Sequence, residues 1–309
     1  MGASPAALGR PAGAVRIRPR FFKAHGHGND YLVFEEGEGP LLTPALARRI
    51  CDRHRGPGGD GIVVVEAGAP GAETRLRMFN PDGAEFERSG NGLRIAGVYL
   101  RRSGAAPDDW FRVAAGGGRV RLRVSGPGPN GAWDALAEMG RTEFPAGPPF
   151  VAPQGVGGGG RVTLDLPCPS GGGRSRIELV PVSVGNPHAV AFRPAWTGAE
   201  VEHYGPLIAT NAVFPRGANV QFARIPVGRE VSIRIWERGA GRTSASGTSA
   251  CAAVAAAVKR GLMPPGPATV RMEGGSMEVE LAGDWSVRLR GPVEEVCCGE
   301  LAATFPGGG

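Results

Sequence analysis

Two short stretches decide the fold of this chain: Ser89-Gly90-Asn91-Gly92 and Ser246-Gly247-Thr248-Ser249. Each opens a run of helix formers, which predicts one helix over Gly90–Arg102 and another over Gly247–Arg260. Small residues at a helix start leave the first backbone N–H groups accessible, at the positive end of the helix dipole. Such a helix start favours a carboxylate or phosphate, and two of them can hold one anion from both sides.

The sequence around these stretches repeats. A Gly-Asn turn precedes each of them, in His25-Gly26-His27-Gly28-Asn29-Asp30 and again in Gly185-Asn186-Pro187-His188. The repetition predicts two related halves that share one architecture, each contributing a turn and a helix start. The alternative is coincidence, because the chain contains 52 glycines and short motif matches include false positives.

Strand signals surround the predicted helices. Short runs rich in β-branched residues alternate with glycine-rich turns, which predicts an α/β (α+β) fold with a third helix over Thr43–His54. The predicted strands are Val15–Lys23, Ile62–Glu66, Thr74–Phe79, Arg119–Val124, Arg161–Leu166, Arg176–Val184, Ala189–Phe192, Val231–Trp236, Val270–Glu273, Met277–Leu281 and Trp285–Arg290.

Composition argues against several classes of protein. The net charge is +6, but the arginines that carry it are scattered and aromatic residues are only 6%, so nucleic-acid binding is not expected. No apolar run reaches the roughly 20 residues of a membrane span. The five cysteines form no C-x-x-C pair and no Cys/His cluster, which predicts reduced thiols, a cytoplasmic location and no metal site. Residues 1–14 contain no apolar signal region and are predicted to be a disordered leader.

Several polar residues in turns are candidate ligand groups. A set of asparagines both donates and accepts hydrogen bonds, as an amino-acid ligand requires, although asparagine is also an ordinary turn former. Glu237-Arg238 offers a carboxylate for an ammonium group and a guanidinium for a carboxylate, or else forms a surface ion pair. His188 is either a proton carrier or a turn histidine. The asparagines are Asn29, Asn80, Asn91, Asn186 and Asn219.

Taken together, these segments resemble the diaminopimelate epimerase family, in family order and over roughly residues 16–301. The matching pieces are Phe22 to Asp30, Cys51-Asp52-Arg53-His54 with Gly59-Asp60-Gly61, Phe79-Asn80-Pro81-Asp82-Gly83, Ser89 to Arg94, Gly185 to His188, Phe214-Pro215 with Asn219-Val220, Trp236 to Gly241, Ser246 to Ala253 and Gly291-Pro292-Val293.

The resemblance implies a cofactor-independent enzyme that interconverts LL- and meso-diaminopimelate for lysine and peptidoglycan synthesis. It implies two similar domains, each a mixed sheet curled around a central helix, over residues 15–136 and 137–291. A last strand over 292–301 would return to the first domain, followed by a tail over 302–309. The implied partner is the small-molecule substrate, without nucleic acid or membrane, and a homodimer is one expected assembly.

The resemblance also implies roles for individual residues, with one departure. Where the family has two catalytic cysteines, this chain has Ser89 and Ser246, with His188 and Glu237 as the groups that would assist them. A serine hydroxyl is a far weaker acid than a thiol and needs an adjacent base to act as one. The implied substrate-binding residues are Asn29, Asn80, Gly90, Asn91, Asn186, Asn219, Glu237, Arg238, Gly247 and Thr248.

The two serines leave three explanations open. The chain is an epimerase that uses serine, or an engineered double substitution of an ordinary epimerase, or a catalytically altered relative. The altered relative would be a diaminopimelate-binding protein or another isomerase or dehydratase. Exchange of the Cα proton with solvent separates these explanations, because a binding protein exchanges none and a dehydratase releases a different product.

Overall fold

The computed structural model describes residues 15–66, 73–116, 118–145, 150–152, 157–226 and 228–305. The predicted leader over 1–14 and the last four residues of the predicted tail lie outside these ranges. None of the helices in the described ranges combines the length and apolar character that crossing a membrane requires.

The described elements alternate strands with a few helices. The first half contains β1 (Arg16–Gly26), β2 (Asn29–Leu41), α1 (Pro44–Cys51), β3 (Gly61–Glu66), β4 (Thr74–Phe79), β5 (Glu85–Phe86), α2 (Gly90–Arg102), β6 (Phe111–Ala115), β7 (Gly118–Ser125) and β8 (Trp133–Arg141). The second half contains β9 (Val162–Pro167), β10 (Arg174–Ser183), β11 (Pro187–Phe192), α3 (Gly198–Ala209), β12 (Asn219–Arg224), β13 (Glu230–Glu237), β14 (Gly241–Thr243), α4 (Gly247–Lys259), β15 (Gly266–Met272), β16 (Gly275–Leu281) and β17 (Ser286–Glu300).

The strand pairing repeats from one half to the other. In the first half β1 and β2 form an antiparallel pair, β2 runs parallel to β3, and β4 runs parallel to β6 across α2. In the second half β10 and β11 are antiparallel, β11 runs parallel to β12, and β13 runs parallel to β15 across α4. This confirms the predicted α+β fold of two similar units, each with a mixed sheet and a central helix.

The central helices are buried because a sheet curls around each of them. Every residue of α4 from Gly247 to Ala257 is buried, and alanine at most of these positions lets the surrounding strands approach closely. In α2, burial extends from Gly90 to Val98 without an exposed face. A helix apolar on all sides is expected at the centre of a sheet rather than on its surface. Together the two helices and their strands form one core cluster.

The last strand joins the halves. β17 pairs with β16 through residues 287–290, with β8 through 286–293 and with β1 through 294–300. The chain therefore passes through Pro292 within one continuous strand over Ser286–Glu300, and in the described part of the chain no separate strand follows Trp285–Arg290. The predicted boundary between residues 136 and 137 falls inside β8, which continues to Arg141.

Candidate active site

The N-terminal ends of α2 and α4 touch each other. A methyl group built on Gly90 would lie 2.9 Å from the Cα of Gly247, and one built on Gly247 would lie 3.0 Å from the Cα of Gly90. Both methyl groups would also collide with the Leu289 side chain, at 2.7 and 2.5 Å from its Cδ2. Only glycine fits at these two positions, and its absence of a side chain brings the two helix ends into one site.

The end of α2 presents unpaired backbone donors. The Ser89 Oγ accepts a hydrogen bond from the Gly92 N–H at 3.0 Å, and the Leu93 N–H pairs with the Ser89 carbonyl. The backbone N–H groups of Gly90 and Asn91 have no partner among the described residues. They lie at the positive end of the helix, where a negative charge is favoured.

The N-terminal end of α4 has more unpaired backbone N–H groups than the end of α2. Ser246 stands at the cap position but makes no side-chain capping bond. Within the described ranges, the backbone N–H groups of Gly247, Thr248 and Ser249 therefore find no acceptor. Two touching helix ends thus direct a set of free N–H donors into the same region, which is the arrangement that binds a carboxylate.

Next to the helix ends lies a cavity of about 410 Å³ between the halves. A depression of about 880 Å³ over β4, β5 and β6 is larger but contains none of the predicted site residues. Most of the predicted site residues line the smaller cavity. Its wall also includes polar residues that the sequence did not single out for ligand binding. The predicted residues on its wall are Asn29, Asn80, Ser89, Asn186, Asn219, Glu237, Arg238, Ser246 and Thr248; the additional ones include Tyr31, Asp60, Arg88 and Arg242.

On the α4 side, Ser246 shares the cavity with a carboxylate. Glu237 ends β13 and lines the same cavity as Ser246. Burial raises the pKa of Glu237, the Ser246 hydroxyl opposes this shift, and the charge of Asp60 adds to it. A carboxylate with a raised pKa is a stronger base than an ordinary surface carboxylate, so Glu237 is suited to accepting a proton.

On the α2 side, the wall that carries Ser89 also carries a neutral hydroxyl. Tyr31, on β2, is buried with 7% of its surface exposed and lines the same cavity as Ser89. Burial and the charges of Glu237 and Asp60 raise the Tyr31 pKa above its usual value, against the opposing effect of Ser89. The phenol is therefore protonated at neutral pH, and this side of the cavity holds proton donors.

The structure places His188 behind the cavity wall rather than on it. Its ring is fully enclosed, with Nε2 at 2.8 Å from the Asn186 Oδ1 and Nδ1 at 3.0 Å from the Gln221 Nε2. Burial lowers the His188 pKa to about 3, the Gln221 contact partly opposes this, and the Arg238 charge adds to it. The neutral ring orients Asn186 and, through Gln221 and Ser249, is connected to the first turn of α4.

Two of the predicted binding asparagines use their amides within the protein. The Asn91 Nδ2 donates to the Asn29 Oδ1 at 2.7 Å, and the Asn29 Nδ2 donates to the Asp60 carboxylate at 3.0 Å. The Arg94 guanidinium, fully buried, donates to the Asn91 Oδ1 and to the Gly90 carbonyl. These contacts hold the end of α2 in place, and Asn91 does not reach the cavity wall.

The remaining polar groups surround the other end of the cavity. Asn219 accepts a hydrogen bond from the Arg238 backbone N–H at 2.9 Å and so fixes the turn that carries this arginine. The Arg238 Nη1 donates to the Arg216 carbonyl, which leaves other guanidinium N–H groups facing the cavity. The Asn80 side chain has no hydrogen-bond partner among the described residues. Among all the residues that the structure describes, no three His, Cys, Asp or Glu side chains converge as a metal site would require.

A family model described as diaminopimelate epimerase matches residues 21–144 and 180–296. The chain belongs to the diaminopimelate epimerase family. The diaminopimelate epimerase of Pelotomaculum thermopropionicum is 40% identical over 296 residues, which covers 91% of this chain and 98% of the relative. That of Geobacillus kaustophilus is 35% identical over 284 residues, covering 90% and 95% respectively.

Solved structures share the fold at lower identity. A probable proline racemase from Agrobacterium radiobacter superposes with a TM-score of 0.67 at 18% identity and covers 93% of either chain. A predicted epimerase from Pseudomonas aeruginosa gives a TM-score of 0.63 at 20% identity, covering 92% of this chain and 99% of that one. These likenesses concern the fold alone.

Proposed function

We propose that this chain interconverts LL- and meso-diaminopimelate by moving a proton at one Cα, and that Ser89 and Ser246 face that carbon from opposite sides. Membership of the family supports the reaction, and the relatives favour it over the alternative of an altered or inactive protein. The observation that carries the proposal is the contact between the two helix ends at Gly90 and Gly247, with unpaired N–H donors beside a serine on each side.

The helix ends would bind the α-carboxylate of the substrate. When the Cα proton leaves, the electron pair moves onto this carboxylate and increases its negative charge. Fixed N–H donors and two positive helix ends stabilise that added charge without having to reorganise. The Cα proton thereby becomes more acidic, which is what a weak base requires.

Glu237 and Ser246 would then accept the proton. Ser246 and Glu237 line the same cavity, and Ser246 would take the Cα proton while it passes its own proton to Glu237. On the opposite side, Ser89 would donate its proton to Cα and thereby invert the configuration. Exchange with solvent would then reprotonate Ser89 and deprotonate Glu237. Each such proton transfer contributes about 10²–10⁴-fold to the rate.

The other cavity wall would recognise the distal amino-acid group. Arg238 offers a guanidinium to a second carboxylate, and Asn80 and Asn186 offer amides. His188 would act by holding Asn186 rather than by assisting a serine. A site that hydrogen-bonds a polar distal group discriminates strongly against analogues that lack it, so a double-headed amino acid is the substrate class.

We further propose a cytoplasmic homodimer. All five cysteines are free thiols, as expected in a reducing compartment. Sedimentation velocity at micromolar concentration should show a species of twice the chain mass, and a single species of chain mass would contradict the dimer.

The decisive experiment follows deuterium at Cα. LL-diaminopimelate is incubated with the protein in D2O, and mass spectrometry with chiral chromatography measures isotope content and stereochemistry. Meso product carrying deuterium is the expected result. A Ser89→Cys/Ser246→Cys variant is the matched comparison and should turn over faster, because thiols are stronger acids.

If neither the natural chain nor this variant exchanges Cα hydrogen, the proposed reaction is wrong. If only the variant does so, the natural chain is a disabled member of the family.

A further inference from the structure

Arg94, in the second turn of α2, carries a positive charge that is completely buried. Its Nε donates to the Gly90 carbonyl at 3.2 Å, and its Nη2 donates to the Asn91 Oδ1. The third nitrogen, Nη1, is also buried and has no hydrogen-bond partner among the described residues. The guanidinium therefore lies one hydrogen bond behind the first residue of the helix end.

Two neighbouring strands lack a side chain where the guanidinium lies. A methyl group on Gly291 of β17 would collide with the Arg94 Nη1, and one on Gly26 of β1 would lie 2.9 Å from the Arg94 Nη2. Protein interiors are close-packed, so a side chain at either glycine would displace the guanidinium. The packing of β1 and β17 against α2 thus accommodates an arginine at this position.

The charge of Arg94 has no counter-ion within the described ranges. The nearest groups that could supply one are Cys251 and Asp134. Burial raises the pKa of the Cys251 thiol to about 12, so this thiol is neutral, and Asp134 is already paired with Arg290 at 2.9 Å. Burial lowers the Arg94 pKa only to about 10, so its guanidinium stays charged at neutral pH. An unpaired buried charge is strongly unfavourable, so we expect this one to meet a charge that arrives with a ligand.

We infer that Arg94 is a positioning residue of the site, which rests on the proposed function: its counter-ion is the substrate α-carboxylate at the touching helix ends. The Gly90 carbonyl and the Asn91 N–H belong to one peptide group, so a cation at the carbonyl end strengthens the N–H as a donor to that carboxylate. The attraction increases when the Cα proton leaves, because the carboxylate then gains negative charge.

The test removes the charge and keeps an amide donor. Arg94→Gln is neutral, whereas Arg94→Lys keeps the charge and loses the planar fork. Arg77→Gln is the matched control, because Arg77 is also buried but is paired with Glu66 and Glu85, at 3.3 and 2.7 Å, and does not line the cavity. For each protein we measure the melting temperature, kcat, KM and, by calorimetry, the dissociation constant of an equilibrated mixture of LL- and meso-diaminopimelate.

Arg94→Gln should weaken binding about tenfold and lower kcat about 10²-fold, because the transition state carries more negative charge than the bound carboxylate. Arg77→Gln should lower the melting temperature, since it breaks two ion pairs, and should keep the kcat and the dissociation constant of the natural chain. Loss of function without a counter-ion in the protein thus separates the two arginines.

Arg94→Lys gives a readout that a merely structural role would not move. A buried lysine without a counter-ion titrates below its ordinary pKa of about 10.4. The titratable groups that face this position are His27, Asp134 and Cys251. Deprotonation removes the charge of the lysine, so kcat/KM of Arg94→Lys should fall with rising pH in a step that the natural chain lacks. Below that step the variant should keep about a tenth or more of the natural kcat.

The outcomes separate the inference from the proposed function. If Arg94→Gln binds and turns over diaminopimelate as the natural chain does, the inference is wrong and the proposed function stands. If Arg94→Gln does not fold, Arg94→Lys decides, and a pH profile parallel to that of the natural chain overturns the inference. If the natural chain binds diaminopimelate without exchanging its Cα hydrogen, the proposed reaction is wrong, and equal dissociation constants for the natural chain and Arg94→Gln would overturn the inference as well.

Discussion

The contact between the helix ends predicts the effect of one added methyl group. Gly247→Ala would place this group 2.5 Å from the Leu289 Cδ2 and 3.0 Å from the Gly90 Cα. Carbon atoms in contact prefer about 3.5–4.0 Å. The Leu289 side chain can rotate away, but the Gly90 backbone can move only if the ends of α2 and α4 separate, by roughly 0.5 Å or more.

Two magnitudes follow from this separation. Overpacking of this kind lowers the free energy of unfolding by about 1–3 kcal/mol, partly offset by the better helix propensity of alanine. A displacement of catalytic groups approaching 1 Å lowers the rate by about 10²-fold. We therefore expect a folded protein with a modestly lower melting temperature and a disproportionate loss of kcat/KM.

The assay combines thermal denaturation with the epimerisation rate for three variants. Gly90→Ala should behave like Gly247→Ala, because its methyl group would meet the Gly247 Cα at 2.9 Å. Gly283→Ala is the control, since a methyl group there would meet nothing within 4 Å. Gly247→Ala with the activity and melting temperature of the natural chain would refute a shared carboxylate site at touching helix ends.

Two further predictions concern buried titratable groups. Glu237→Gln should lower the rate of Cα exchange by about 10²-fold or more. It should not lower the melting temperature, because burial raises the pKa of Glu237 and so already disfavours its charged form in the folded protein. His188 has a pKa of about 3 in the folded state, against 6.5 in the unfolded state. Between these values the unfolded state binds a proton that the folded state does not. The contribution of His188 to the free energy of unfolding is therefore lost as the pH falls below 6.5. Linkage lowers the free energy of unfolding by about 2 kcal/mol between pH 7 and pH 5. In urea denaturation, the free energy of unfolding of His188→Gln should therefore change less between these two pH values than that of the unsubstituted chain. If both proteins change equally, the histidine is protonated in the folded protein.

Local patterns predicted the helices of the site well and some strands poorly. The helix over Gly90–Arg102 was predicted with its observed bounds, because a small-residue start and an unbroken run of helix formers define it. Helix α3 was not predicted, although Thr197 and Glu200 form a capping box that signals its start. Strand β2 was not predicted, and it is held in the sheet by its pairing with β1 and β3.

The candidate site also contains some features that the sequence predicted and others that it did not. Ser89, Ser246 and four of the five predicted asparagines stand in recognisable motifs and line one cavity, whereas Asn91 does not reach its wall. The buried position of His188 could not be predicted, because it depends on a neighbour far away in the chain. His188 meets Gln221 from an adjacent strand.

The amino-acid sequence by itself determined which residues open the two central helices and that the chain is built from two related halves. It did so because helix starts, turns and strand periodicity are local properties of the backbone and of neighbouring side chains. Only the tertiary structure decided that Gly90 and Gly247 touch, that Ser89, Ser246 and Glu237 line one cavity, and that His188 lies behind its wall. Those facts depend on burial and on contacts between distant segments, which exist only once the sheet has closed around both helices.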